Sequence, residues 1–306
     1  MNNLKKIGLT ALAGSLVASS AYAGALSVSG SAAVKYQSKG PERVTGNPFS
    51  DSNGITFSGG GELENGMTVG VSYTMTDAAF SASNVTLDMG DSGTLAFGHD
   101  SAHGGIDTIK DKMPTAGEEV WDDIGSGDDA GVVDIGSDPS LYYSVNAAGI
   151  NASASYARTG TGTENSIALV ASELMDGAEF GIGTGTNVAS ATSEDDYTTV
   201  YGKYTSGAFT IGVQLSEIDK TAAASDVDRE AAAISFAVNE NLSISYGMST
   251  VKYESSSKVD AESTGVSASY TMGGMTIGAV ANKTDSFAGT SGTDKEFTEV
   301  SLSFAF

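Results

Sequence analysis

The chain has 306 residues, no cysteine, 38 acidic against 15 basic side chains and a formal net charge of −23. Such a field repels nucleic acid and anionic polymers, so no nucleic-acid partner is expected, and the lack of cysteine excludes disulfide staples and thiolate metal centres. With 17% charged residues, 39 glycines and 4 prolines the composition suits either a low-complexity chain or one large sheet, and periodicity selects the sheet.

At the start, Lys5 and Lys6 precede a mostly apolar stretch over 7–18 and then Ala21-Tyr22-Ala23, the small-x-small form that signal peptidase reads. Residues 1–23 are therefore expected to be a cleaved leader, with one barrel domain over 24–306. The leader holds two lysines and no acid, so its loss takes the formal charge from −23 to −25.

Strict alternation begins at once. Leu26, Val28, Ala32, Val34 and Tyr36 face one way, and Ser27, Ser29, Ser31, Lys35 and Gln37 the other, which is the 180° period of a strand. Ile55, Phe57 and Leu63 repeat it against Thr56, Ser58 and Glu62. The Glu64-Asn65-Gly66 turn follows, with Asn-Gly suited to a tight hairpin, and Met67, Val69, Val71, Tyr73 and Met75 form the return strand.

Continuing the count places strands near 83–89, 94–100, 139–146, 150–158, 165–174, 178–188, 196–205, 209–217, 230–239, 242–254, 262–272, 275–285 and 295–306, sixteen in all. Alternation is weaker at 83–89, 165–174 and 196–205, which leaves fourteen as the other count. Short turns and longer Asp/Ser/Gly/Lys loops are expected to alternate strictly, as in a barrel with tight periplasmic turns and longer external loops. No stretch after Ala23 reaches the ~18 apolar residues of a spanning helix, so any membrane crossing rests on the strands. The fold expected is all-β, a transmembrane antiparallel up-and-down β-barrel of about 16 strands. Tyr36, Tyr73, Tyr156, Tyr204, Phe209, Tyr270 and Phe304 share lipid-facing parity and are expected in the interfacial girdles. The strand glycines Gly181, Gly183 and Gly185 imitate part of a dinucleotide fingerprint, but no helix follows them; they are expected to permit curvature or subunit packing.

The segment 101–137, after the fifth strand, breaks the pattern. It holds Asp107, Asp111, Glu118, Glu119, Asp122, Asp123, Asp128, Asp129 and Asp134. At the other end the chain closes Leu302-Ser303-Phe304-Ala305-Phe306, with apolar residues at every second position and a terminal phenylalanine.

Taken together, the leader, the sixteen strands, the long third loop and Phe306 resemble the general porins of Gram-negative bacteria, nearest the small acidic porins of alphaproteobacteria. The match is one of architecture over the whole mature chain. It implies a homotrimer of water-filled barrels in the bacterial outer membrane, in contact with its lipid and lipopolysaccharide, that passes small hydrophilic solutes and ions. It also implies that the third external loop, 101–137, folds inward as the pore constriction. Leu302, Phe304 and Phe306 would be the signal read by the barrel assembly machinery. In that family a basic wall faces the acidic loop. Here the wall is thin, with Lys35 of lumen-facing parity, Arg43 nearby, and only two further arginines, Arg158 and Arg229. Lys203 stands near a short-turn end. A mostly negative eyelet is expected to prefer cations.

No enzyme and no resident cofactor are expected. His99 and His103 stand four apart without the rest of a metalloprotease or lipase constellation. A helical turn could bring both rings to one metal, a weak signal at this spacing, and Ca²⁺ held loosely by Asp-rich turns, at Asp128 and Asp129 or at Glu194-Asp195-Asp196, is the other metal reading, without the ordered spacing of an EF-hand. Two other functions share the barrel signal: a solute-specific pore, and a non-conducting structural or adhesive barrel.

Overall fold

A computed structural model describes residues 26–40, 47–99, 104–121, 124, 135, 139–190 and 192–306. Among them are sixteen strands: β1 (Ser27–Gly40), β2 (Phe49–Glu62), β3 (Thr68–Thr76), β4 (Ala79–Asp88), β5 (Thr94–His99), β6 (Ser140–Ala147), β7 (Ile150–Arg158), β8 (Thr163–Ala171), β9 (Ala178–Ser190), β10 (Ser193–Ser206), β11 (Phe209–Lys220), β12 (Val227–Ala237), β13 (Leu242–Tyr253), β14 (Ala261–Met272), β15 (Met275–Asp285) and β16 (Lys295–Ala305). Each pairs antiparallel with its chain neighbours, and β1 pairs with β16, so the sheet has no edge. The count is sixteen rather than fourteen, and the three weakly alternating segments are all strands.

Closure is made by the two ends of the chain. β1 and β16 run in register from Ser31 opposite Ala305 to Gly40 opposite Glu296. Beyond that ladder the Gly30 amide donates to the Phe306 carbonyl at 2.7 Å and the Phe306 amide returns a bond to the Gly30 carbonyl at 3.0 Å. The Phe306 ring lies over Gly30, where a Cβ would come within 2.5 Å of a ring carbon. Phe304 is exposed and pairs with Ala32, and Leu302 pairs with Val34. In hydrocarbon, where no water can serve a free amide, this closure satisfies the backbone of both terminal strands.

Two faces follow from the pleat. On β11, Phe209, Ile211, Val213 and Leu215 are exposed while Gly212, Gln214 and Ser216 between them are buried. The same alternation gives an outer surface carrying Val28, Val34, Val71, Val85, Ile167, Ile182, Tyr246, Val266 and Val300, all exposed. An apolar surface of that extent is unstable in water and stable against acyl chains. All seven aromatics of expected lipid-facing parity lie exposed on that surface. No helix long and apolar enough to cross a membrane occurs among the described residues, and crossing is by strands.

The connections depart from strict alternation. β3 and β4 are joined by Asp77 and Ala78 alone, both at positive φ (49° and 66°), where a longer external loop is expected. Asp77 tolerates that backbone because its carboxylate accepts the Asn53 amide at 2.9 Å, fixing the turn to β2. β9 and β10 likewise end at Ser190 and restart at Ser193. In both hairpins the pairing continues past the expected strand ends and leaves little loop.

Candidate functional site: the chain inside the barrel

The long third connection lies between β5 and β6, and its described part, 104–121, is laid on the inward face of the wall. It enters through a 3₁₀ turn at Gly105–Thr108. Gly105 takes φ +59°, and a Cβ there would sit 2.0 Å from Ser166 Oγ, so only glycine fits. The Ile106 amide donates to Ser166 Oγ at 3.0 Å, and Ser166 and Ser155 share a hydrogen bond of 2.6 Å. Ser155 Oγ in turn donates to the carbonyl of Ile135 at 3.2 Å, tying the returning limb of the loop to the same place.

Apolar burial inside an otherwise polar barrel anchors this limb. Ile106, Ile109 and Ile135 are each 0% exposed, packed with Ala168, Tyr197, Tyr201, Ile218 and Val227. Each isoleucine removed from water contributes about 2 kcal/mol as an upper estimate. Beside them Gln214 uses its whole amide on the loop and wall. Its Nε2 donates to the carbonyls of Ile109 (2.8 Å) and Lys110 (2.9 Å) and to Thr199 Oγ1 (3.0 Å), and its Oε1 accepts the Lys112 amide (3.2 Å).

The chain then runs on along the wall. Met113 and Pro114 lie on Gly212. Ser245 Oγ accepts the Ala116 amide at 2.9 Å and is itself 2.6 Å from Ser267 Oγ. Asn282 Nδ2 donates to the Glu119 carbonyl at 3.2 Å. Trp121, 3% exposed, stacks on Arg229, whose guanidinium carbon stands 3.6 Å from the ring centroid and whose Nε donates to Ser249 at 3.3 Å. Among the described residues these loop-to-wall hydrogen bonds fall on β7, β8, β11, β13, β14 and β15, and the Glu118 ion pair reaches β1.

What admits the loop is a row of glycines. A Cβ would meet Ile109 Cδ1 at 2.8 Å if placed on Gly183, Ile135 Cδ1 at 2.8 Å on Gly185, Pro114 Cδ at 2.7 Å on Gly212, and Val120 Cγ1 at 2.9 Å on Gly247 and 3.1 Å on Gly265. All are shorter than ordinary van der Waals contact. Gly183 and Gly185 thus lie on the inward parity and make room for the loop, a role that the expectation of curvature or subunit packing does not contain. On β2–β5 the inward positions instead hold exposed or half-buried hydroxyls such as Thr56 and Thr74, whose oxygens are 2.9 Å apart.

The expected acidic residues divide accordingly. Asp107 is buried and accepts the Ile135 amide at 2.9 Å, so its carboxylate closes the loop on itself and does not face the pore as expected. Glu118 stands 3.9 Å from Lys35, which also pairs with Glu299 at 3.1 Å, while Gln37 donates to the other Glu299 oxygen at 2.7 Å. Lys35 is thus on the wall facing the loop, as its parity requires, and is already compensated. Asp111 is exposed and Glu119 half-buried. Asp122, Asp123, Asp128, Asp129, Asp134, Arg43 and His103 lie outside the described residues. His99 is on the outward parity of β5 with its ring against Phe80, centroids 5.0 Å apart. No group of three metal-ligating side chains is found among the described residues.

A second charged cluster stands where the loop passes β9–β11. Glu179 Oε1 accepts from the Tyr201 hydroxyl at 2.6 Å and from Lys203 at 3.0 Å, and the Lys112 ammonium lies 6.0 Å from the Tyr201 ring centroid. Burial first, and then the Lys203 ammonium, hold Lys112 below the usual lysine value of 10.5. Lys110 and Lys112 escape a reading that follows acids along the loop. Their signal is visible all the same, as two cations inside a strongly acidic segment.

Comparison with known structures agrees with the closed sixteen-stranded barrel. A triple-substituted variant of the Rh. blastica porin superposes with a TM-score of 0.69 at 15% identity, covering 92% of this chain and 100% of that one. The anion-selective porin from Comamonas acidovorans superposes with a TM-score of 0.72 at 13% identity, covering 92% and 99%. No curated protein matches the chain in sequence. The model of the Gram-negative porin family matches residues 8–306, and the chain belongs to that family of outer-membrane channel barrels.

Proposed function

We propose that the protein is a general diffusion pore for small hydrophilic solutes, with segment 101–137 as its constriction. The observation that carries this reading is the polar inner surface of β2–β5, which faces a loop bonded to the opposite wall. Water and solute pass between the two. Cations are preferred, because the chain carries 38 acids against 15 bases and Lys35, the described member of the expected basic wall, is neutralised by Glu299 and Glu118. The neighbour from Comamonas is described as anion-selective, so selectivity is set by side chains and has to be measured for each chain.

In the same reading the leader 1–23 is removed on export and Leu302, Phe304 and Phe306 are recognised during assembly. The mature barrels form a homotrimer bounded by outer-membrane lipid and lipopolysaccharide. The pore performs no catalysis and holds no cofactor, loose Ca²⁺ at Asp128 and Asp129 aside. The reading is tested by reconstituting the purified protein in a planar bilayer and measuring the reversal potential in a KCl gradient. A potential of the sign for K⁺ is expected. A non-conducting protein would overturn the pore, and a potential of the sign for Cl⁻ would overturn the cation preference alone.

A further inference from the structure

Between the loop and the inner face of β9–β12, toward the short-turn end of the barrel, lies a cavity of about 570 Å³. Asp111, Lys112, Glu179, Lys203, Thr205 and Thr210 contribute to its lining. Two ammonium groups converge there on one ring: Lys203 Nζ is 5.8 Å and Lys112 Nζ 6.0 Å from the Tyr201 centroid. One carboxylate serves them unequally. Glu179 Oε1 is engaged by both Tyr201 and Lys203, whereas no carboxylate among the described residues lies within ion-pairing distance of Lys112. Asp111 lines the same space but is exposed, where water screens it. Thr205 and Thr210, whose hydroxyls are 3.0 Å apart, line the same space and can offer a further donor.

We propose that Lys112 and Lys203 form a binding station inside the lumen for a small phosphate-type anion, either phosphate itself or a small phosphate ester. The inference rests on the pore reading above. A phosphate-type anion is the ligand that fits, because one added anion with several oxygens can engage two ammonium groups lining the same space, Lys203 already paired with Glu179 and Lys112 without an ion pair among the described residues. A threonine hydroxyl can serve a remaining oxygen as donor. The pKa of Lys112 is lowered first by burial and then by the neighbouring Lys203 ammonium, against the opposing pull of Glu179 and Asp111, so an anion reaching it would meet a poorly solvated cation. The arrangement differs from an acidic loop opposed by a basic wall: here the loop itself supplies a cation, and its basic partner stands on the strand against which the loop is docked. A net cation-preferring pore would in this way retain a site at which a phosphate-bearing solute pauses.

The test compares the intact protein with Lys112→Met and Lys112→Arg in planar bilayers, adding inorganic phosphate to each channel and normalising to its own KCl current. Phosphate is expected to reduce the wild-type current. The half-blocking concentration should rise about tenfold in Lys112→Met, the factor for one charge-assisted hydrogen bond, and return most of the way in Lys112→Arg. Equal block in wild type and Lys112→Met would overturn the station while leaving the pore intact. Phosphorus-31 line broadening of inorganic phosphate with the detergent-solubilised protein reads the same site without conduction. Broadening lost in Lys112→Met sustains the station, and broadening that does not depend on Lys112 overturns it.

Discussion

The inner face of β7–β15 and the inner face of β2–β5 both carry many small or hydroxylated side chains, yet they do different things. The first receives a loop, and the second is left to water. The difference lies in where the glycines fall and in a few side chains with enough hydrogen-bonding capacity to replace water for a folded backbone. On the loop side Gly183, Gly185, Gly212, Gly247 and Gly265 stand under apolar loop residues, and Gln214 and Asn282 bond to loop carbonyls. On the open side a methyl group at Gly54 would meet nothing closer than Ser31 Oγ, at 3.4 Å. A lumen therefore becomes asymmetric by omission of side chains as much as by their presence.

Filling the seat should separate the two faces most directly. Gly247→Val would drive a side chain into Val120, because even its Cβ falls 2.9 Å from Val120 Cγ1 and its other neighbours are beyond 3.4 Å. Overpacking of this kind costs about 1–3 kcal/mol, and it can be relieved by releasing the loop while the barrel stays closed. The expected result is a higher single-channel conductance with strand content by circular dichroism unchanged. Trp121 is the sole tryptophan and is buried on Arg229, so its fluorescence should become accessible to acrylamide in the variant. On the open side Gly54→Ala is expected to change neither reading. If the two substitutions act alike, the seat is not what holds the loop.

A smaller effect is expected from Gln214→Leu. The substitution keeps approximate volume and leaves the carbonyls of Ile109 and Lys110 and the Lys112 amide without their partner, which amounts to about 1–3 kcal/mol for each group that stays dry. Water reaching the lumen offsets part of it. Amide hydrogen exchange should quicken over 106–113 and stay unchanged in β2–β5; protection that persists in the loop would place its anchorage in the isoleucine cluster alone.

Much of the barrel was legible because alternation at period two survives any choice among Val, Ile, Tyr and Phe, so the faces of β11, β13 and β14 can be assigned without knowing their neighbours. The segment 101–137 stands out for the opposite reason, because the alternation stops there, and its described part, 104–121, lies against the wall. What holds the loop was not legible. Glycine carries no hydropathic signal, so Gly183 and Gly247 cannot be told from glycines that merely bend a strand until the loop's isoleucines and Val120 are placed over them. Gln214 reads as one more lumen polar residue. Asp107 reads as a pore acid, although the Ile135 amide has taken its carboxylate out of the water. The tight Asp77–Ala78 hairpin was missed because its support comes from Asn53 on β2, a contact that no local rule on turn residues contains.

The smallest expected effect concerns Lys112 and follows from the direction of its pKa. Burial and Lys203 hold it below 10.5, so the docked loop binds its proton less well than the undocked loop does. In the window between the lowered value and 10.5 the undocked state carries more protons, and docking must strengthen as pH rises through it; below that window Lys112 is charged in both states and its unfavourable contribution is present in full. Lys203, Glu179 and Asp111 line the same cavity and Tyr201 bonds to Glu179, so the comparison has to be between wild type and Lys112→Met under identical conditions. Protection of Trp121 from acrylamide should increase with pH approaching 10.5 in the wild type and follow a flatter course in the variant. Saturating phosphate should flatten the wild-type course as well, because an anion beside Lys112 restores its affinity for the proton. A wild-type protein whose loop loosens as pH rises, while Lys112→Met does not, would show that the lysine is welcomed by the docked state and would reverse the electrostatic sense given to this side of the pore.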